Sequence, residues 1–141
     1  LVARSEGEIA DAAAAIRAAG GQAEALACDI TDIDAFAAAV AARPACHVLV
    51  NNAGTNRPAP FHEVTPADFD AVMDLNLRAA FFAAQAVVKR MIVEGVKGSV
   101  INISSQMGHV GGPDRGAYCA SKWAMEGWTK AMAIDLARFG I

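Results

Sequence analysis

Tyr118 and Lys122, in the segment Ala117-Tyr118-Cys119-Ala120-Ser121-Lys122, are the residues of this chain best suited to moving a proton. Four residues apart on a helix, they share one face and sit one turn from each other. A phenol titrates near pH ~10 in isolation, and an ammonium held close favours the phenolate, so such a pair can pass a proton near neutrality. Upstream, the β-branched run Val100-Ile101-Asn102-Ile103 ends in the hydroxyl pair Ser104-Ser105, with Ser105 thirteen residues before Tyr118. A strand, a polar loop and a helix must therefore meet here.

The surrounding elements can be read from their boundary chemistry. Ser5 with Glu8, Thr31 with Asp34, and Thr65 with Asp68 each offer a hydroxyl at a helix N-cap and a carboxylate three residues on, and Pro66 suits a first helical position. These signals predict one helix to about residue 19, closed by Gly20-Gly21, and a second to about residue 42, before Arg43-Pro44. The third is predicted from Pro66 to about Val93, with an apolar stripe of Phe69, Val72, Met73, Leu77, Ala80, Ala84, Val87 and Met91. Strands are predicted at 23–28, weakly because Ala is a poor β-former, at 48–50, and at 99–103. Strands alternating with helices imply right-handed βαβ units, hence a doubly wound α/β fold with helices on both faces of a parallel sheet. Ligands bind such sheets at the carboxyl ends of the strands, where Asn51, Ser104 and Ser105 fall.

Composition narrows the function classes. The 141 residues are one domain's worth, and 55% hydrophobic content with 19% charged residues argues for a packed core and a partly apolar surface, consistent with an oligomer. A formal net charge of -3 without a Lys/Arg cluster speaks against a nucleic-acid partner. Cys28, Cys46 and Cys119 show neither metal-ligand nor disulfide spacing, which makes a reducing, cytoplasmic location and a metal-free site the expectation. No uninterrupted apolar run reaches membrane-spanning length, so no membrane association is expected. Leu1-Val2-Ala3 looks like the tail of a strand under way and Phe139-Gly140-Ile141 stops where a strand should begin, so 1–141 is expected to be a single but incomplete domain of a longer chain.

Each candidate residue also has an ordinary reading. Tyr118 and Lys122 could be a solvated helix pair, Asn76 a satisfied core amide, Ser105 a helix cap, and His109 a loop histidine without special role. Their joint occurrence carries more weight: Asn51-Asn52-Ala53-Gly54 follows a strand, Asn76 interrupts an apolar stripe, Ser105 ends the next strand, and Tyr118-x-x-x-Lys122 follows. In type, order and spacing these motifs resemble the short-chain dehydrogenase/reductases, and Asp29-Ile30 looks like the pair that family places beside an adenine ring.

The resemblance implies a Rossmann-like domain and an NAD(P)-dependent oxidoreductase acting on a carbonyl or alcohol. Tyr118 would be the general acid or base, Lys122 would ease loss of the phenolic proton and bond the nicotinamide ribose, and Ser105 would donate to the substrate oxygen where charge develops. Asn76 would hold a water linking Lys122 to solvent. Asn51 would brace the sheet while the Ala53-Gly54 backbone lets the cofactor ribose approach. The family's glycine-rich first turn would precede Leu1, and the mid-sheet strand before it would join two halves that are otherwise separate.

At the end of the first strand Ala3 stands where an NAD-preferring fold places an acid, and Arg4-Ser5 follows, which favours NADP while leaving NAD possible. The substrate pocket is expected from Gln106 to Gly116 and from Thr55, Asn56 and Arg57, with Ser105, Gln106, Met107, His109 and Tyr118 as candidate substrate contacts. An oxoacyl thioester and a sugar or polyol both fit that description. Helices of this family pair across two-fold axes, and Ala120, Ala124, Gly127 and Ala131 beside Trp123 and Trp128 would permit a homodimer or homotetramer. The competing class is a catalytically silent relative that senses nucleotides or acts as a scaffold.

Overall fold

A computed structural model describes residues 1–141. In chain order the elements are β1 (Val2–Ala3), α1 (Glu6–Ala18), β2 (Leu26–Ala27), α2 (Ile33–Ala41), β3 (Val48–Asn51), α3 (Pro66–Met73), a π-helical turn (Asp74–Ala79), α4 (Ala80–Glu94), β4 (Ser99–Asn102) and α5 (Gly116–Leu136). This is the predicted α/β alternation, with every strand pair parallel.

The strands form two separate pairs. β1 lies beside β2 in the register Val2 to Leu26, and β3 beside β4 in the register Val48 to Ser99 through Asn51 to Asn102. Between the pairs is an apolar cavity of about 740 Å³, bounded by Leu1, Val2 and Ala3 on one side and by Val48, Leu49 and Val50 on the other. It occupies the place where the family resemblance puts a joining strand.

Helix boundaries show which capping signals operate. Thr65 caps α3 as predicted, its Oγ1 accepting from the Asp68 amide at 3.1 Å and donating to Asp68 Oδ2 at 2.7 Å. The start of α2 is corrected from Thr31 to Asp32, whose Oδ1 accepts from the Ala35 amide at 3.0 Å. Thr31 is unavailable because its hydroxyl and amide both donate to Asp29 Oδ1, and a carboxylate is in any case favoured at the positive end of a helix. Ser5 occupies the N-cap of α1 without a side-chain capping bond. The strand predicted at 23–28 shrinks to two residues, as the Ala-rich run offers few β-branched side chains to pack.

The third predicted helix is one continuous 29-residue helix from Pro66 to Glu94, interrupted by the π turn around Asn76. That turn was not foreseen. With a mean hydropathy of 1.3 over its most apolar window, this helix also corrects the sequence expectation on length: it is long and apolar enough to cross a membrane. Its apolar face is spent on the core instead, where Val72, Ala80, Ala83, Ala84, Val87, Val88 and Met91 are buried. Fully burying a side chain such as Val or Met contributes about 1.5–3 kcal/mol. α4 packs on α2 and β3, while α5 packs on α3 and the π turn. Close approach at the base of β4 requires Gly98, where a Cβ would stand 2.6 Å from the His47 carbonyl oxygen.

Candidate active site

The carboxyl ends of β3 and β4 and the first turns of α5 surround a polar cavity of about 320 Å³. Asn52, Gly54, Thr55, Asn56, Ile103, Ser104, Arg115, Tyr118 and Lys122 line it. Tyr118 and Lys122 are on one face of α5 as their spacing requires, with the Lys122 Nζ 5.7 Å from the centroid of the phenol ring. Lys122 is only 5% exposed, and its ammonium donates to the Ile103 carbonyl at 2.7 Å. Burial pushes the Lys122 pKa down from its ordinary 10.5, because the charged form loses water it would otherwise hold. The strand end thus fixes the cation one helical turn from the phenol.

Asn76 stands behind this wall rather than in the lining. It is fully buried, and its Oδ1 accepts from the Thr55 amide at 2.7 Å while its Nδ2 donates to the Thr55 carbonyl at 2.8 Å and to Ser121 Oγ at 3.2 Å. Ser121, also fully buried, donates to the Tyr118 carbonyl at 2.7 Å. Asn76 therefore ties the Gly54-Thr55 turn after β3 to the Tyr118–Lys122 turn of α5. Reaching outward to two elements at once accompanies the widened helical turn at this residue, a feature frequent at functional sites. The tie also explains Gly54, where a Cβ would come within 3.3 Å of Asn76 Oδ1.

Ser105 has extended backbone, and its Oγ accepts from the Met107 amide at 3.2 Å, so it does cap the following turn of Gln106–Gly108. The capping bond uses a lone pair and leaves the hydroxyl proton free to donate. Ser105 itself is not among the lining residues; its neighbour Ser104 is, with a buried Oγ that has no partner. The 106–108 turn presses so close to α5 that a Cβ on Gly108 would stand 2.9 Å from Ser104 Oγ and 3.2 Å from the Lys122 carbonyl.

The other predicted residues fall into two groups. Asn51 is buried and donates to the Ala80 carbonyl and to Asn102 Oδ1, which supports the bracing reading. Asn102 in turn donates to Thr129 on α5, so β3, β4 and α5 are joined by side chains. Ile30, Asn51 and Ala53 border the apolar cavity between the strand pairs. Arg4 lies at the end of β1 with its guanidinium 4.0 Å from Asp29 Oδ2, and Ser5 follows it. The Asp29 carboxyl is held below its usual range chiefly by the Thr31 amide and hydroxyl, with Arg4 a smaller cause.

Among the candidate substrate contacts, Tyr118 lines the cavity, whereas Gln106, Met107 and His109 do not. His109 is turned to α5, its Nε2 3.5 Å from Glu126 Oε1. Thr55 and Asn56 line the cavity as expected and Arg57 does not. Sequence reasoning placed Ser104 at a ligand-binding strand end and Arg115 within the expected 106–116 pocket segment without giving either a role, and it did not single out Ser121. Ser121 lies within the Tyr118–Lys122 motif, and its signal was a small hydroxyl facing a buried amide.

The residues present suit a nicotinamide dinucleotide. An orphaned buried hydroxyl on Ser104, a backbone turn at Gly54 free of a side chain, and the Lys122 ammonium can donate to ribose and carboxamide groups.

Comparison with known proteins agrees with this geometry. The family model for short chain dehydrogenases matches residues 1–141. Gluconate 5-dehydrogenase of Gluconobacter oxydans is 39% identical over 80% of this chain and 45% of its own length. Cyclopentanol dehydrogenase of a Comamonas species is 38% identical over 92% of this chain and 53% of its own. The chain spans about half the length of the curated relatives it matches. Among solved structures, gluconate 5-dehydrogenase from Burkholderia cenocepacia with NADP and tartrate superposes with a TM-score of 0.94 at 37% identity, covering 100% of this chain and 56% of that one. An NAD⁺-bound xylitol dehydrogenase gives 0.95 at 31% identity, covering 100% and 56%.

Proposed function

We propose, since this chain belongs to the short-chain dehydrogenase/reductase family, that the protein of which it forms part transfers a hydride between NADP(H) and a small carbonyl or alcohol. The observation that carries the proposal is the Tyr118–Lys122 pair on one face of α5, its ammonium buried and anchored to the end of β4. When bound, the nicotinamide supplies the hydride.

The chain's own residues would do the rest. Tyr118 gives its phenolic proton to the carbonyl oxygen in reduction and takes one from the alcohol in oxidation. Ser105, with its proton free, donates to the same oxygen as negative charge gathers there. Lys122 keeps one N–H on Ile103 and has two left for the ribose and the phenol side. Asn76 holds the Gly54-Thr55 turn against the catalytic turn, and the proton relay to solvent assigned to it would run beside that tie. Gly54 and Ala53 would take the ribose, and Asp29-Ile30 the adenine.

Arg4 supports NADP over NAD. Its partner Asp29 is 4.0 Å away and both side chains are largely exposed, so the pair is worth little and the guanidinium is available to a 2'-phosphate. The test is reduction by the full-length protein with NADPH and NADH, followed at the reduced-nicotinamide band over a panel of keto-sugars, oxo acids and oxoacyl esters. Arg4→Ala should lower the NADPH-to-NADH ratio of kcat/KM by about ten- to hundred-fold. A ratio that does not move removes Arg4 from cofactor choice, and failure of both cofactors to bind would leave the silent relative as the better reading.

Self-association is part of the same proposal. α4 and α5 share an apolar groove of about 360 Å³ lined by Phe81, Val88, Trp128, Ala131, Met132 and Leu136, and Phe81 and Trp123 are exposed. A homodimer or homotetramer through this face is expected, and sedimentation of the full-length protein as a monomer at micromolar concentration would refute it. Three free cysteines fit a reducing cytoplasm.

A further inference from the structure

The site contains a cation that the reaction chemistry does not use. Arg115 lines the same cavity as Tyr118 and Lys122, yet its guanidinium donates no hydrogen bond and has no carboxylate within 4.0 Å. No Asp or Glu lines the cavity at all. Asn56 also lines it, and its buried Oδ1 has no partner. A buried amide oxygen left unpaired costs free energy, so a ligand hydroxyl that reaches it gains a bond at no loss to the protein.

The backbone on both sides of Arg115 is anchored. Asp114, just before it, has φ +57°, in the left-handed region that only Gly, Asn and Asp visit readily. Its carbonyl accepts from the Ala59 amide at 3.1 Å, which ties the loop before α5 to the segment carrying Asn56. Although Asp114 is adjacent in sequence, its carboxylate does not pair with the guanidinium. At the other side of the loop, Gly116 lets the ring of Phe61 approach to 3.4 Å of where a Cβ would be. Arg115, exposed and three residues before Tyr118, thus lines the cavity with its donors free of protein partners.

We propose that Arg115 and Asn56 form a carboxylate-recognising subsite, so that the substrate of this cavity is a hydroxy acid or its oxo acid rather than a neutral ketose, polyol or thioester. The planar guanidinium matches a carboxylate with two parallel N–H donors, while Asn56 accepts from a hydroxyl on the same substrate. With Lys122 already spent on Ile103 and the phenol side, Arg115 is the residue left to neutralise the substrate's charge. This proposal rests on the oxidoreductase reading of the site.

The experiment uses the full-length protein with NADPH and compares an aliphatic oxo acid with its methyl ester, the smallest change that removes the charge. The acid should be preferred in kcat/KM by about ten- to hundred-fold, and Arg115→Gln should bring the acid-to-ester ratio to about one, with the loss falling in KM. Arg115→Lys, which keeps charge but not the planar fork, should restore only part of the ratio. In parallel, binding of tartrate and of the neutral tetritol erythritol is measured by thermal shift in wild type and Arg115→Gln.

If esters are reduced as well as acids, the carboxylate subsite is wrong while the oxidoreductase reading stands. If tartrate binds through Arg115 but no carbonyl compound is reduced, the subsite stands and the oxidoreductase reading fails. Should Arg115→Gln instead weaken NADPH binding and leave the acid-to-ester ratio as it was, the guanidinium serves the cofactor and the proposal is overturned.

Discussion

Tyr118→Phe in the full-length protein should lower kcat by about 10²–10⁴-fold while NADPH still binds. The substitution removes one oxygen and keeps the ring. The Tyr118 carbonyl still receives the Ser121 hydroxyl, Lys122 still donates to Ile103, and Asn76 still holds Thr55, because none of these bonds uses the phenol oxygen. What is lost is the one hydroxyl on this face of α5 that lines the cavity. Steady-state kcat together with cofactor titration by nicotinamide fluorescence separates the two effects. A variant that binds NADPH and retains activity within about threefold of wild type would move the proton donor elsewhere, with Ser104 and Ser105 as the remaining hydroxyls at the strand end.

Lys122→Met is expected to lower activity and to change how stability depends on pH. Activity should fall by about 10²-fold or more, since the residue that faces the phenol and the ribose is gone. Stability responds through protonation. Burial lowers the Lys122 pKa in the folded protein below 10.5, so from neutral pH up to the folded pKa the native state carries a charge that its surroundings disfavour. Between the folded pKa and about 10.5 the unfolded chain binds more protons than the native one, and native stability therefore rises with pH across that window. The variant has no such group. Its stability relative to wild type should be greatest near neutrality and shrink as pH approaches 10.5, which melting temperatures at a series of pH values would show. Loss of the bond to the Ile103 carbonyl works against the variant at every pH, so the slope is the readout rather than the sign at one pH. A flat difference between pH 7 and 10.5 would contradict the desolvation argument.

How far the sequence could be read depended on whether a feature is local. The alternation of strands and helices, the Thr65 cap and the Tyr118–Lys122 face are set by spacing within a few residues, and each is present in the structure. The separation of the strand pairs was legible only through the family resemblance, because nothing local in β1 or β3 says what lies between them. The π turn could not be read, since it accompanies bonds between Asn76 and two elements 21 and 45 residues away in sequence. His109 illustrates the converse: as a loop residue it looked free to meet a substrate, but Glu126, seventeen residues on along the chain, lies on the face of α5 toward it. Arg115 fell within the expected 106–116 pocket segment, but its lack of a partner is visible only once every carboxylate has a position.

The most direct measurement is a single turnover of the full-length protein with NADPH deuterated on the nicotinamide carbon that carries the hydride, using an oxo acid as acceptor and Tyr118→Phe as control. Deuterium should appear on the carbinol carbon of the product with the wild-type protein, and at a rate at least about 10²-fold slower with Tyr118→Phe. Product carrying no deuterium, or label transferred equally fast by both proteins, would contradict a hydride transfer completed by the Tyr118 proton.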